Sequence, residues 1–252
     1  MDLQIFGGSG AGSRKRDGRG GADNNEQETH IRGVSQSQID QLRGTRGHLG
    51  KDELTTNLIK EDYARVGIKI SPEEAKEIRN ALHNFTANGY INMRNALISE
   101  RQGKELSDDQ KKALQQYNLC IEYCNIAPTY QPKPNQTAVY RGLPAGRYDQ
   151  YGEKIANLKT GDKWDVDKMP TSFSTDKGTA YTFAGAGFNE KGVIIHVPIK
   201  NLKNSPSIKG LAKISSENEV LLSDYKWKVK GKYSEFNEDN NEMVHIYLEP
   251  DA

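Results

Sequence analysis

The residue pattern changes once along this chain, and the change limits the folds that the chain can adopt. Before the proline-rich segment "PTYQPKPNQ", at 128–136, apolar residues recur with the helical period. After it, short runs of β-branched and aromatic residues are bounded by turn residues. Helices first and strands second predict an α+β fold, with a helical part at 51–130 packed on a β core at 137–250.

Several helix ends can be located from their capping residues. A first helix is expected in "KDELTTNLIKEDYARVG". Ser71, Pro72 and Glu74 form the pattern of a capping box with proline at the first helical position. A further helix is expected after a break at Gly89, and the last one begins after Ser107.

The strands are expected in five stretches of the second part. Each is rich in Val, Ile, Tyr, Phe or Trp and ends at Gly, Pro, Asn, Asp or Ser. The stretches are "TAVYRGL", "KMPTSFST", "GVIIHVPI", "NEVLLSDYKWKVKGKY" and "MVHIYLEP".

Residues 1–50 differ from the rest in composition. They are rich in glycine and alternating charges and contain no Tyr or Trp, so they cannot bury enough apolar surface to offset the entropy lost on ordering. We therefore expect a flexible tail at 1–50, followed by one domain at 51–252.

Neither a secretory leader nor an apolar run long enough for a membrane span is found, which predicts action in a cytoplasm.

Charge and cysteine content exclude several classes of protein. Lys and Arg number 35 against 34 Asp and Glu, so no nucleic-acid partner is indicated. The two cysteines, Cys120 and Cys124, lie four residues apart on one helix face and are expected to be half-buried structural thiols in a reducing environment. Phosphate-binding and dinucleotide-binding glycine motifs are missing, and the five histidines show no metal-ligand spacing, so no metal is expected.

Three stretches carry candidate functional residues: "VYRGL" with Arg141, "TSFSTD" with Ser174, and "SENEVLL" with Glu217 and Glu219. Each alone has an ordinary structural explanation. A lone arginine at a strand end can form a surface ion pair, and the Glu-x-Glu pattern also occurs in the tail, at 26–28. Their occurrence together and in this order is what carries information.

Taken together, the three stretches resemble the mono-ADP-ribosyltransferases of the arginine–serine–glutamate class. That family has an aromatic-Arg-Gly on its first core strand, a Ser-Thr-Ser strand next, and Glu-x-Glu at a later strand. The matching residues are Tyr140-Arg141-Gly142, Ser172-Phe173-Ser174-Thr175-Asp176 and Glu217-Asn218-Glu219. Asp176 departs from the family's third position, and the assignment of Ser172 against Ser174 is open.

The helical part is also similar to that family. A helix pair before the first strand carries two aromatics five residues apart, here Phe85 and Tyr90, and the family's following asparagine falls near Arg94 or Asn95. The resemblance covers about 52–250 and implies N-terminal helices on a split two-sheet β core.

The resemblance implies that NAD is consumed as a substrate. Breaking the bond between nicotinamide and ribose passes through an oxocarbenium-like cation, which a carboxylate stabilises more in the transition state than in the ground state. Glu219 is expected in this role. Glu217 is expected to hold an acceptor guanidinium and take its proton, which points to an arginine on a target protein.

The remaining roles follow from the same resemblance. Arg141 is expected to bind the dinucleotide phosphates, and Gly142 to allow close approach to the nicotinamide amide. Ser174 is expected to orient Glu219, with Thr175 shaping the same strand. Phe183 and Tyr90 are expected to contact NAD.

Two alternatives remain open. An NAD glycohydrolase would use the same residues with water as the acceptor, although water needs no guanidinium holder such as Glu217. A non-catalytic structural or binding module of a phage particle is the other, because the leader "MDLQIFGGSGAGS" is similar to leaders of tailed-phage head proteins.

Overall fold

A computed structural model describes residues 51–146, 150–164, 170–185, 191–212, 218–223 and 226–251. The predicted tail at 1–50 lies outside the described residues. Within them the chain forms helices first and strands second, so the predicted α+β class is confirmed.

Four helices make up the first part, and their ends follow the capping residues. They are α1 (Lys51–Arg65), α2 (Pro72–Asn84), α3 (Tyr90–Arg101) and α4 (Asp108–Ile126). The Ser71 hydroxyl accepts from the Glu74 N–H at 3.1 Å, and the Glu74 carboxylate accepts from the Ser71 N–H at 2.7 Å. Ser107 forms the same reciprocal pair with Gln110 at the start of α4. The predicted capping sites are therefore confirmed.

The predicted break at Gly89 is a bend between α2 and α3. Phe85–Gly89 forms a π-helical turn in which Ala87 leaves helical geometry, with φ −99° and ψ −123°. A Cβ on Gly89 would lie 2.8 Å from the Asn84 carbonyl oxygen, so a larger residue would push the turn apart. The bend buries Phe85 and Tyr90 on either side of it.

The helices bury one apolar core, to which α1, α2, α3 and α4 all contribute. One strand residue, Leu221, and the segment around Ile208 also belong to this core, and they join the helical part to the sheet. Central members with almost no exposed surface are Ile59, Ala75, Leu82, Met93, Cys120, Tyr123 and Cys124.

The described residues of the second part form a seven-stranded mixed sheet. Its strands are β1 (Ala138–Ala145), β2 (Lys163–Trp164), β3 (Thr171–Ser174), β4 (Lys191–Pro198), β5 (Glu219–Leu222), β6 (Trp227–Phe236) and β7 (Glu242–Pro250). The order across the sheet is β2-β6-β7-β4-β1-β3-β5, with β4 and β7 parallel and the other neighbours antiparallel. The stretch predicted around 218–233 therefore forms two strands, β5 and β6.

The sheet is weakest between β1 and β3. These strands share one paired position in the described residues, Tyr140 opposite Ser174, whereas β1 and β4 pair along their whole length. Hydrogen bonds thus join the strands into one sheet, but β3 and β5 leave β1 soon after Tyr140. The predicted split core requires the sheet to open at this boundary, and the single β1–β3 pair is the observation that fits it.

Two short helices cover the two faces of the sheet. Helix α5 (Gln150–Ala156) packs on the larger apolar face, and α6 (Lys177–Phe183) lies on the opposite face against Ile194 and Met243. Neither helix is predicted from the sequence. Among the described helices, none combines the length and the hydropathy that crossing a membrane requires.

Candidate active site

Arg141 lies on β1 where β1 and β3 separate, and it is only 2% exposed. Its Nη1 donates to the Ser172 carbonyl oxygen at 2.7 Å, which fixes the guanidinium across the cleft. Burial lowers the pKa of Arg141 to about 10, while Tyr151, Tyr90 and the nearby Glu219 carboxylate act to raise it. The side chain therefore remains a cation at neutral pH.

Glu219 is the first residue of β5 and is 1% exposed. The Ser172 hydroxyl donates to its Oε1. Ser172 therefore contacts both charged groups, Arg141 through its carbonyl and Glu219 through its hydroxyl. The structure brings the predicted arginine and glutamate together, with this serine between them.

Ser172 donates to Glu219, whereas the resemblance predicts Ser174 for this role and leaves the choice between the two serines open. Ser174 is also buried and lies opposite Glu219 in the strand pairing, but its hydroxyl accepts from the Asp176 N–H at 3.0 Å. Ser174 thus supports the turn that leads into α6. Thr175 continues this turn, with its N–H donating to the Asn218 carbonyl oxygen at 3.1 Å.

The Glu-Asn-Glu segment is described from Asn218 onward, and Glu217 lies outside the described residues. Asn218 has a φ of 49°, in the left-handed region that asparagine tolerates better than most residues. The strand begins at Glu219, so the alternation of an extended strand does not extend back through Asn218. The role expected for Glu217 toward an acceptor stays a prediction.

Gly142 is required by the packing of α6. A Cβ at this position would lie 1.7 Å from the Ala180 carbonyl oxygen and 2.7 Å from the Ala184 nitrogen. The missing side chain therefore lets α6 press directly on β1 beside Arg141. Close approach to nicotinamide, the role implied by the resemblance, stays a prediction.

Three aromatic or basic side chains surround Arg141 from the helices. Tyr90 on α3 is 6% exposed, and Arg94, one turn later, is half-buried. Asn95, the other position considered for the family's asparagine, is exposed. The Arg94 guanidinium carbon lies 5.6 Å from the ring centre of Tyr151 on α5. Arg94, a like charge, acts to lower the pKa of Arg141. Tyr151 was not indicated by any sequence signal, because its element was not predicted.

Phe183 ends α6 and is half-buried, one turn beyond the helix residue that contacts Gly142. The helix begins directly after the site strand, with the Asp176 carboxylate accepting from the Gly178 and Thr179 N–H groups. Residues 186–190, which follow this helix, lie outside the described residues.

Cys120 and Cys124 are both buried on α4 as thiols, with no disulfide between them. Burial raises the pKa of the Cys120 thiol, and Cys124 and Glu219 raise it further. Both cysteines are fully buried, deeper than the half-buried positions expected from the sequence.

A second buried polar network lies on the α6 face of the sheet. His196 Nε2 lies 2.9 Å from His245 Nδ1, and His245 Nε2 lies 3.0 Å from Glu235 Oε1. The Tyr181 hydroxyl of α6 donates to Glu235 at 2.8 Å. Burial is the largest cause lowering the pKa of both histidines, to about 3 for His196. Both rings are therefore neutral at pH 7.

Aromatic rings enclose this network. Tyr233 stacks on His245 at 4.5 Å, Tyr247 stacks on His196 at 4.2 Å, and Tyr140 meets His196 edge-on at 5.3 Å. Across the described ranges, no three His, Cys, Asp or Glu side chains are arranged to hold a metal ion.

Two solved structures of other proteins share this architecture. The chain is similar to Plx2a, an ADP-ribosyltransferase toxin from Paenibacillus larvae, with a TM-score of 0.51 and 14% identity over 80% of this chain and 96% of that one. It is also similar to the ADP-ribosyltransferase Vis in complex with the M6 inhibitor, with a TM-score of 0.50 and 19% identity over 83% of this chain and 90% of that one.

The fold is therefore that of the mono-ADP-ribosyltransferases, and the resemblance seen in the sequence is confirmed at the level of the fold. No protein-family model matches the chain. No curated protein matches it in sequence either.

Proposed function

We propose that this protein transfers ADP-ribose from NAD to an arginine side chain of a target protein and releases nicotinamide. The observation that carries the proposal is the buried chain of contacts from Arg141 through Ser172 to Glu219, located where β1 and β3 separate. Burying a cation and a carboxylate is expensive, so their retention at one cleft is best explained by a ligand that needs both.

Glu219 is the group that stabilises the positive charge on the ribose. Ser172 holds one of its oxygens and thereby fixes the carboxylate before the reaction, which is how preorganised electrostatics lower a barrier. As the C1′–N bond breaks, its electron pair returns to the nicotinamide ring nitrogen. Arg141 holds phosphate oxygens of the dinucleotide so that C1′ stays near Glu219.

Glu217 is assigned to the acceptor. A guanidinium nitrogen attacks C1′ and its proton passes to the Glu217 carboxylate, so charge and atoms balance. The proposal extends to a target protein located in a cytoplasm. Hydrolysis of NAD is the competing reaction, in which water replaces the guanidinium at the same carbon.

Labelled NAD with agmatine as the acceptor tests the division of roles. Glu217→Gln is expected to lose transfer to agmatine at least tenfold more than it loses release of nicotinamide. Asp176→Asn, which changes a carboxylate outside the contact chain, serves as a control. Equal loss of transfer and hydrolysis in Glu217→Gln would contradict the acceptor role.

A further inference from the structure

We propose that the proline-rich segment at 128–136 positions the start of β5 through Tyr130, and that this contact decides how ADP-ribose is divided between a guanidine acceptor and water. The segment joins α4 to β1. The inference rests on the proposed function and adds a positioning residue to the acceptor side of the site.

The first observation is that the segment holds the side chain of Tyr130 in place. The Gln136 side-chain oxygen accepts from the Tyr130 hydroxyl and, at 3.0 Å, from the Lys133 N–H. Prolines at 128, 132 and 134 limit the φ angles that the segment can adopt. The Tyr130 ring is half-buried and packs against the apolar core of the sheet. The segment is therefore a built support for this phenol.

The second observation is that the main chain of Tyr130 is anchored beside β5. Its N–H donates at 2.8 Å to the carbonyl oxygen of Ser205, a fully buried residue. The segment at 205–208 lies along the edge of β5 that faces away from β3, and the Ile208 N–H donates to the Glu219 carbonyl oxygen at 2.9 Å. Tyr130 is thus attached to one of the two neighbours of β5.

The third observation is that the side chain of Tyr130 reaches the other neighbour, at the end of β3. Burial raises the pKa of the Tyr130 phenol, and the Thr175 side chain is among the hydrogen-bonding groups that act to lower it. The Thr175 N–H donates to the Asn218 carbonyl oxygen at 3.1 Å. Asn218 is the residue with a φ of 49° directly before β5. The contacts of Tyr130 therefore lead to the turn that opens this strand.

These contacts restrain the two ends of the Glu-Asn-Glu segment unequally. Glu219 is held separately by the Ser172 hydroxyl, so it keeps its place when the Tyr130 hydroxyl is removed. Asn218 is held through the end of β3, where that hydroxyl acts. The proposed function assigns the acceptor to Glu217, directly before Asn218. Loss of the hydroxyl should therefore reduce transfer more than cleavage of NAD.

Labelled NAD tests this inference, with transfer to agmatine and release of nicotinamide without agmatine measured on the same protein. Tyr130→Phe removes the hydroxyl and keeps the ring. Transfer should fall about threefold to tenfold, as for loss of one neutral hydrogen bond, while release of nicotinamide stays within about twofold of the wild type. The KM for agmatine should rise, and the KM for NAD should stay the same.

Two further variants separate positioning from a general loss of stability. Tyr123→Phe removes another buried phenol contact, the 2.6 Å bond from Tyr123 to Asp62 Oδ2 between α4 and α1. It should lower the Tm and leave the ratio of transfer to hydrolysis unchanged. The double variant Tyr130→Phe/Thr175→Val should lose no more of this ratio than the more affected single variant, because both changes remove the same contact.

The outcomes distinguish this inference from the proposed function. If the wild type transfers ADP-ribose to agmatine and Tyr130→Phe keeps the wild-type ratio of transfer to hydrolysis, the role of Tyr130 is wrong and the proposed function stands. The same holds if Tyr123→Phe changes this ratio as much as Tyr130→Phe does. If the wild type transfers nothing to agmatine, the proposed function is wrong, and the role of Tyr130 is wrong with it.

Discussion

Two polar networks among the described residues differ in how their charges are arranged. The first joins Arg141, Ser172 and Glu219, and both of its ionised side chains are at least 98% buried. The second joins His196, His245 and Glu235, and its charge lies at the exposed end, where the Glu235 side chain is 45% exposed. Its interior members are neutral rings.

Under the proposed function, we assign the first network to activity and the second to stability. A buried ion pair is weak support for stability, because desolvation offsets most of the attraction. A neutral hydrogen-bonded network costs far less and ties α6 to β6 and β7 through Tyr181. We therefore expect changes in the first network to reduce activity and changes in the second to reduce stability.

The largest expected effect comes from Glu219→Gln. Nicotinamide release should fall about a thousandfold, the upper range for losing one preorganised electrostatic group. The Tm should fall as well, because the buried Arg141 cation loses its nearby carboxylate. His245→Gln should lower the Tm while activity stays within about threefold of the wild type. Nicotinamide release and thermal unfolding of both variants test whether the first network is needed for activity and the second only for stability. Loss of activity in His245→Gln at an unchanged Tm would contradict this assignment.

A smaller effect is expected from Gly142→Ala, which lies between the two networks. The added methyl group would sit 1.7 Å from the Ala180 carbonyl oxygen, so α6 must move away from β1. We expect the free energy of unfolding to fall by about 1–3 kcal/mol, as for other overpacked positions. Urea unfolding measures this, with Gly178→Ala as the control, since its nearest neighbour lies at 3.4 Å. Equal stability of the two variants would refute the tight packing.

The two serines of β3 sharpen the assignment within the first network. Ser172→Ala removes the donor to Glu219 and should lower kcat for nicotinamide release about tenfold to a hundredfold. Ser174→Ala removes the acceptor for the Asp176 N–H and should mainly lower the Tm. The reverse ranking in steady-state kinetics would restore Ser174 as the orienting serine.

The smallest expected effect is the pH dependence of stability from the second network. The folded pKa of His196 is lowered to about 3, below an unfolded value near 6.5. The unfolded chain therefore binds a proton that the folded chain excludes, so stability is lost as pH falls from about 6.5 toward 3. One histidine contributes at most about 1.4 kcal/mol per pH unit.

His196→Gln keeps an amide donor toward His245 and removes this titration. Its free energy of unfolding, measured by urea at several pH values, should fall less steeply than that of the wild type between pH 6.5 and 4.5. Parallel pH profiles for the two proteins would show that His196 is not held neutral by the fold.

Local signals made much of the fold predictable. The capping box at Ser71 and the break at Gly89 depend on contacts within a few residues, and both occur as the sequence indicates. Helices α5 and α6 were missed because each has seven residues, too few for a periodic pattern. They form because Gly152 and Gly142 let them pack directly on β1.

The types of residue in the site could be predicted from the sequence, but the hydrogen-bond partner of Glu219 could not. Ser172 and Ser174 lie two apart on one strand and share a face, so strand alternation cannot choose between them. The choice depends on which hydroxyl reaches Glu219, 47 positions away in sequence. His196 and His245 are likewise 49 positions apart and meet only through the parallel pairing of β4 with β7.

Mass spectrometry of agmatine after incubation with the protein and NAD tests the proposed transfer most directly. We expect an ADP-ribose adduct on the guanidine and release of free nicotinamide, both lost in Glu219→Ala and retained in His245→Gln. Intact NAD with the wild type, or an equal yield of adduct from Glu219→Ala, would contradict the assignment of the Arg141–Ser172–Glu219 network to this chemistry.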